Sequence, residues 1–227
     1  MNPNILKMGR LERFDPKSRN YPITSTINQQ GLRSYTWRCN VKLDQGPDGA
    51  CVGFAWAHEL AARPKEMHGV NYDRAMFYYH MAQLNDPWDG GAYLPKDNES
   101  FYEGSSVLGG AKALHKTGII KEYRWCFSLH DVLMALSWNG PVVVGTKWLE
   151  GMFYPDEKGY VNLTGANVGG HAYMLNKIDL KNETIGFVNS WGPGWALNGE
   201  AKIKFSDFET LLLDRGEACA PVDYYIR

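Results

Sequence analysis

"LDQGPDGACVGFAWAHELAARP", residues 43–64, is the stretch whose reading decides the rest of the chain. Gly46, Pro47 and Gly49 compress a tight loop, and Cys51 stands where a helical pattern begins. Apolar or small residues then follow almost without a break (Val52, Phe54, Ala55, Trp56, Leu60, Ala61), which predicts a mostly buried helix closed by Pro64. A thiol at a helix N-terminus feels the positive end of the macrodipole and unpaired N–H groups, both of which lower its pKa. A buried cysteine is equally a small hydrophobe, and spacing alone leaves both readings open.

A nucleophilic thiol needs a base, and the base needs an orienting partner. Among the six histidines, His58 lies seven residues along the same helix and cannot return to its N-terminus. His68, His80, His115 and His130 have polar or helical surroundings and read as surface residues. His171 differs, because it follows Gly169 and Gly170 and opens the strand pattern "HAYMLNKID". The next strand pattern, "ETIGFVNSW", can pair back through a turn near residues 181–183, which brings His171 opposite the region from Asn189 to Gly192. The Asn189 amide oxygen can accept from one ring N–H and leave the other nitrogen to the thiol. Trp191 could shield that bond from water. Gln45, six residues before Cys51, could join the Cys51 backbone N–H in holding a tetrahedral oxyanion.

Length and composition bound what surrounds these residues. The chain has 227 residues, of which 44% are hydrophobic, enough for one large domain or two closely packed halves. A formal net charge of −1, with Lys and Arg scattered, points to neither nucleic acid nor an anionic membrane. No apolar run approaches membrane-spanning length, and the first residues lack the apolar core of a secretory signal. Cys39, Cys51, Cys126 and Cys219 lie far apart with no CxxC pair, so neither a zinc site nor a disulfide framework is expected and a cytoplasmic location is.

Residues 1–34 are polar and irregular and read as an extended arm. Helical patterns recur at "YDRAMFYYHMAQLND", "SVLGGAKALHKTG" and "SLHDVLMALSWNG", the last with Ser128 as N-cap. After residue 140 the texture changes to the short strands "PVVVGTKW", "HAYMLNKID", "ETIGFVNSW" and "EAKIKF". That segregation predicts an α+β architecture, with a helical half (35–140) packed on an antiparallel sheet half (141–227) and a cleft between them.

"DQGPDGACVGFA", "GGHAYML" and "VNSWGPGW" resemble, in order and spacing, the three signature regions of the papain/cathepsin family of cysteine peptidases. The resemblance covers roughly residues 35–227. It implies a papain-like two-subdomain fold with Cys51, His171 and Asn189 as catalytic residues and Gln45 with the Cys51 N–H as oxyanion hole. It also implies a ledge at Gly104 and Ser105 that pairs with an extended protein or peptide substrate, and a pocket near Val107, Val143 and Gly169 for the second residue before the scissile bond, suited to a modest apolar side chain. Gly170 and Trp191 border the same cleft. Neither cofactor nor metal is implied, and neither a nucleic-acid nor a membrane partner. Val52 departs from the Trp usual in papain-type enzymes, and Asp48 stands where secreted members carry a disulfide cysteine. No long inhibitory propeptide is recognisable, so either the peptidase is born active or the arm (residues 1–34) folds over the cleft; similar pro-less sequences occur in bacteria and their viruses. Amidase, transglutaminase or isopeptidase chemistry on the same fold, or a catalytically silent binding role, are the alternatives.

Overall fold

The computed structural model describes residues 6–27 and 31–225. Residues 1–5 and 28–30 of the expected arm, and 226–227 of the expected domain, lie outside the described residues. Helix α1 (Cys51–Ala61) sits at the centre, and all eleven of its residues are buried. It has no polar face because it has no free side: α2 (Tyr72–Gln83) and α3 (Val107–Lys116) pack on it from one direction and the sheet from the other. Two glycines make this possible. A Cβ on Gly53 would lie 2.4 Å from the Ala75 carbonyl oxygen and 2.5 Å from the Tyr79 nitrogen, so the α1 and α2 backbones touch there. A Cβ on Gly110 of α3 would strike the Trp56 indole at 2.3 Å.

Two polar side chains of α1 are buried with the rest. His58 Nε2 accepts the Leu43 N–H at 3.0 Å, which fastens the loop ahead of Gln45 to the helix, and burial pushes its pKa down to about 3. Glu59 accepts from the Tyr224 hydroxyl at 2.5 Å, and burial pushes its carboxyl up to about 8. Both groups are therefore held largely in their neutral forms, although His58 Nδ1 and Glu59 Oε2 find no hydrogen-bond partner among the described residues.

The sheet contains β1 (Tyr35–Thr36), β2 (Ile120–Trp125), β3 (Val142–Leu149), β4 (Asn167–Asp179), β5 (Thr184–Val188), β6 (Glu200–Lys204) and β7 (Glu217–Tyr224). Its order is β2-β7-β3-β4-β5-β6 with β1 alongside β4, and every strand pair is antiparallel. Helices α4 (Leu129–Trp138) and α5 (Phe205–Leu213) pack with its second core, around Trp148, Tyr173, Phe187 and Ile203. Side-chain caps begin α2 (Asn71), α3 (Ser106) and α4 (Ser128, in a capping box with Asp131). No helix among the described residues is long and apolar enough to cross a membrane.

The architecture is the α+β arrangement expected, with local differences. Strand β2 lies inside the stretch read as helical, and β7 and α5 carry no pattern strong enough to read. Strand β7 contains Pro221, which argues against a strand enclosed by neighbours, yet it runs between β2 and β3.

Replacing Gly53 by Ala should cost about 1–3 kcal/mol, because the added methyl meets backbone atoms that cannot swing aside. Urea unfolding of the variant checks this; an unchanged midpoint would show that α1 and α2 can separate freely.

Candidate active site

Cys51 is the first residue of α1, preceded by Ala50, which offers no side-chain cap. The first N–H groups of this helix are thus left without the side-chain oxygen that three other helices carry. Across the junction of the two halves, the Ala172 N–H donates to the Cys51 sulfur at 3.4 Å, which sets β4 directly against the thiol. His171 immediately precedes Ala172. Its Nε2 hydrogen-bonds the Asn189 Oδ1 at 2.8 Å, although the two residues lie eighteen positions apart. The β4–β5 hairpin brings them together: Met174 pairs with Val188 and Asp179 with Thr184. The Trp191 indole stacks on the imidazole at 4.7 Å between ring centroids, and Trp148 meets it edge-on at 4.9 Å. His171 and Asn189 are both fully buried.

Gln45 reaches the same place from the opposite loop. Its Oε1 accepts from the Ser190 hydroxyl at 2.5 Å, and its backbone N–H donates to the Ser190 carbonyl at 2.8 Å. The side-chain amide is thereby turned so that Nε2 donates to the Asp48 carbonyl at 2.6 Å and to the Lys7 carbonyl at 3.2 Å.

Gly104 and Ser105 form an extended rim facing these groups, held by residues the sequence reading passed over. The Gly104 N–H donates to the Tyr79 hydroxyl at 2.8 Å, and Gln83 Nε2 donates to the carbonyls of Gly104 at 2.9 Å and Tyr102 at 3.2 Å. Asp86 accepts from the Ser106 N–H at 3.0 Å and from its hydroxyl. Tyr79 and Gln83 are one helical turn apart on α2, and Asp86 follows just beyond its end. The only sequence signal was a polar Gln on an otherwise aromatic, buried helix face. Val107 begins α3 beside this rim, and Trp191 lies over His171. Val143 is buried in the core around α1; Gly145, two residues on and on the same strand face, is the β3 residue that adjoins the cleft.

The cleft is filled by the chain's own N-terminal segment. The Ser105 N–H donates to the Gly9 carbonyl at 2.8 Å, and the Leu11 N–H donates to the Ser105 carbonyl at 2.9 Å, a parallel bridge around Arg10. On the other wall, the N–H groups of Gly9 and Arg10 donate to the Gly170 carbonyl at 3.2 and 3.0 Å. The fit demands glycine: a Cβ on Gly9 would lie 1.9 Å from the Gly49 carbonyl oxygen, and one on Gly170 would lie 2.3 Å from the Arg10 carbonyl oxygen. Met8 covers Gly169. The Arg10 side chain is buried, with Nε donating to Glu217 Oε1 at 2.9 Å. Further on, Ile23 is buried in the core behind the sheet, and Trp125 of β2 donates to the Tyr21 carbonyl at 3.0 Å.

Burial dominates the ionisation of the site. Burial pushes the Cys51 thiol up to about 11, outweighing the N–H groups of Ala172, Gly9 and Val52, which pull it down. Burial pushes His171 down to about 4 against the pull of Asn189. His171 Nδ1 has no hydrogen-bond partner among the described residues. The covered site therefore holds a neutral thiol and a neutral imidazole at pH 7, not the ion pair a working thiol needs. Burial likewise pushes the Glu217 carboxyl up to about 7, partly offset by Arg10.

No family model and no curated protein matches the chain. Solved structures do. Xylellain, a cysteine protease from Xylella fastidiosa, superposes with a TM-score of 0.71 at 15% identity, covering 97% of this chain and 96% of its own. A Carica candamarcensis cysteine protease in complex with E-64 gives 0.59 at 16% identity over 84% of this chain and 98% of its own. Bromelain from Ananas comosus, also in complex with E64, gives 0.58 at 14% identity over 85% and 99%. The chain has the papain-like fold of these cysteine proteases.

Gly9→Ala in the full chain lifts the segment off the thiol without touching the cleft walls. Overpacking of about 1–3 kcal/mol corresponds to roughly 5- to 150-fold faster alkylation of Cys51 by iodoacetamide at pH 8. Peptide mass mapping reads this with Cys39, Cys126 and Cys219, all buried, as internal controls. An unchanged rate would mean that something other than the segment shelters the thiol.

Proposed function

We propose that this chain is a papain-like cysteine peptidase that cleaves extended peptides and rests in a latent state with residues 7–11 in its own cleft. The observation that carries the reading is the buried 2.8 Å His171–Asn189 hydrogen bond beneath Trp191, set one residue from the N–H that touches the Cys51 sulfur.

With the arm displaced, water reaches Cys51 and His171 and the burial that holds both neutral is relieved. The thiol proton passes to His171 Nδ1, the ring nitrogen left without a partner, while Nε2–H stays on Asn189. The thiolate attacks the scissile carbonyl, and the oxyanion takes the Cys51 N–H and Gln45 Nε2, a donor now spent partly on the Lys7 carbonyl. His171 then gives its proton to the leaving amine, and water activated by the same ring releases the acyl-enzyme. Ser105 supplies a donor and an acceptor to an extended substrate, as it does to the arm.

The arm is not arranged as a substrate. Lys7 meets Gln45 and Arg10 enters the pocket by Val107, so the chain runs from oxyanion donors toward pocket. A substrate with its second residue before the scissile bond in that pocket runs the other way. Reversed polarity lets the arm saturate the cleft without presenting a carbonyl correctly to the thiol.

A papain-directed epoxide inhibitor, read by intact mass, tests the reading. In the Gly9→Ala chain one adduct is expected on Cys51, none after Cys51→Ala, and labelling slowed about 100-fold or more after His171→Ala. The wild-type chain should label more slowly than Gly9→Ala. Labelling indifferent to His171, or no adduct once the arm is displaced, would sink the peptidase assignment.

A further inference from the structure

The arm's contacts do not end at the rim. Beyond Ser105 it passes Gly104, on which an added Cβ would stand 3.1 Å from Leu11 Cγ, and reaches the C-terminal end of α2. There Arg13 Nη1 donates to the Asn85 carbonyl at 2.6 Å and lies 3.3 Å from Asp86 Oδ1. The Asp86 side chain is fully buried, so this is not a pair of solvated surface charges. Arg13 follows three residues after Arg10, the side chain that enters the pocket by Val107, and one extended chain therefore spans both places.

The end of α2 is built to receive a cation. The carboxylate is fixed in place, with Asp86 Oδ2 accepting the Ser106 N–H at 3.0 Å and Oδ1 accepting the Ser106 hydroxyl. A missing side chain lets it in, since a Cβ on Gly109 would lie 2.6 Å from Asp86 Oδ1 and 2.7 Å from the Ala82 carbonyl oxygen. An acceptor is also left over. Asn85 Nδ2 donates to the Met81 carbonyl at 2.8 Å, while Oδ1 of the same amide is buried with no hydrogen-bond partner among the described residues. The negative end of the α2 dipole favours positive charge at the same spot. Burial pushes the Asp86 carboxyl up, and the bonds from Ser106 and the charge of Arg13 pull it back.

We propose that Asn85 and Asp86 form an outlying subsite for a basic side chain, reached by substrates that run along the Ser105 ledge and on past the pocket. A substrate lies on the same line as the arm in the opposite direction. The residue three positions before the one in the pocket, the fifth before the scissile bond, then meets Asp86. That position rests on the peptidase reading; the preference for a cation at the end of α2 does not. Arg outranks Lys, because a planar guanidinium carries enough donors for the Asn85 carbonyl, Asn85 Oδ1 and Asp86 together.

Two readouts in the full-length protein test this. In the Gly9→Ala chain that also carries Arg13→Ala, ledge and outlying site are both free. Fluorogenic peptides that differ only in a single Arg, moved through the third to sixth residues before the scissile bond, are compared by kcat/KM. Arg at the fifth residue should exceed Ala there by about tenfold, the worth of one hydrogen bond to a charged group. Asp86→Asn should remove most of that ratio, which cancels any general loss from disturbing Ser106. Restoring Arg13 should shrink it too, by occupying the site. A flat scan, a peak at another residue, or a ratio unchanged by Asp86→Asn overturns the proposal. The second readout needs no turnover: hydrogen exchange at the Leu11 amide, which bonds the Ser105 carbonyl, reports how firmly the arm is seated. Protection should fall in the order Arg13, Arg13→Lys, Arg13→Leu, and the spread should collapse with Asp86→Asn. Equal protection by Arg and Leu overturns the cation site. If no chain cleaves any peptide, the peptidase reading fails, while the exchange order still decides whether the end of α2 selects a cation.

Discussion

Helix α1 has no solvent face, and the placement of the cleft follows from that constraint. A helix enclosed along its whole length must share side chains with both halves of the molecule, so the halves cannot slide without opening the core. Its N-terminus emerges where they meet, with Cys51 at its first position and Ala172 of β4 against the sulfur. The α1–α2 contact at Gly53 then fixes α2, and α2 fixes the Gly104–Ser105 rim through Tyr79 and Gln83. One buried helix thus sets the thiol, the opposing strand and the rim in a common frame.

Within that frame, burial rather than the helix dipole decides the state of the thiol. An uncapped N-terminus and three neighbouring N–H groups all favour the thiolate, yet the Cys51 pKa stands near 11 because water is shut out. The dipole contributes at most about 2 kcal/mol in favourable sites, whereas burying an ionised group without a counter-charge is a larger penalty. His171 lies under the same roof and is depressed for the same reason. The arm occupies hydrogen-bonding groups of both cleft walls, while its Gly9 N–H is one of the few contacts that favour the thiolate.

The parts legible in the sequence were those with local spelling. Cys51 behind its glycine loop, the Gly-Gly before His171 and the hairpin leading to Asn189 depend on neighbours within a few residues, and the structure brings all of them together with Gln45. A mostly buried α1 was equally readable from its near-continuous apolar run, though the burial of His58 and Glu59 with the rest was not. What escaped depends on contacts across long separations. Glu217 lies 207 positions from Arg10, in a strand whose proline argues against its enclosed place in the sheet. Gln83 reads as an ordinary helix residue until the rim it supports is in view. The arm over the cleft was one of two alternatives, raised only by leftover length; Gly9 gave no hint, because its need for a bare backbone arises from Gly49, forty residues on.

The choice of Arg10 as the arm's anchor also bears on how the arm can leave. An apolar plug would be held by its buried area, roughly 25 cal/mol per Å², and a competitor would have to bury as much to replace it. A guanidinium bound to one oxygen of a buried carboxylate is held differently. Its removal leaves Glu217 buried without its counter-charge, so the carboxyl, already raised to about 7 beside Arg10, takes up a proton as the arm leaves.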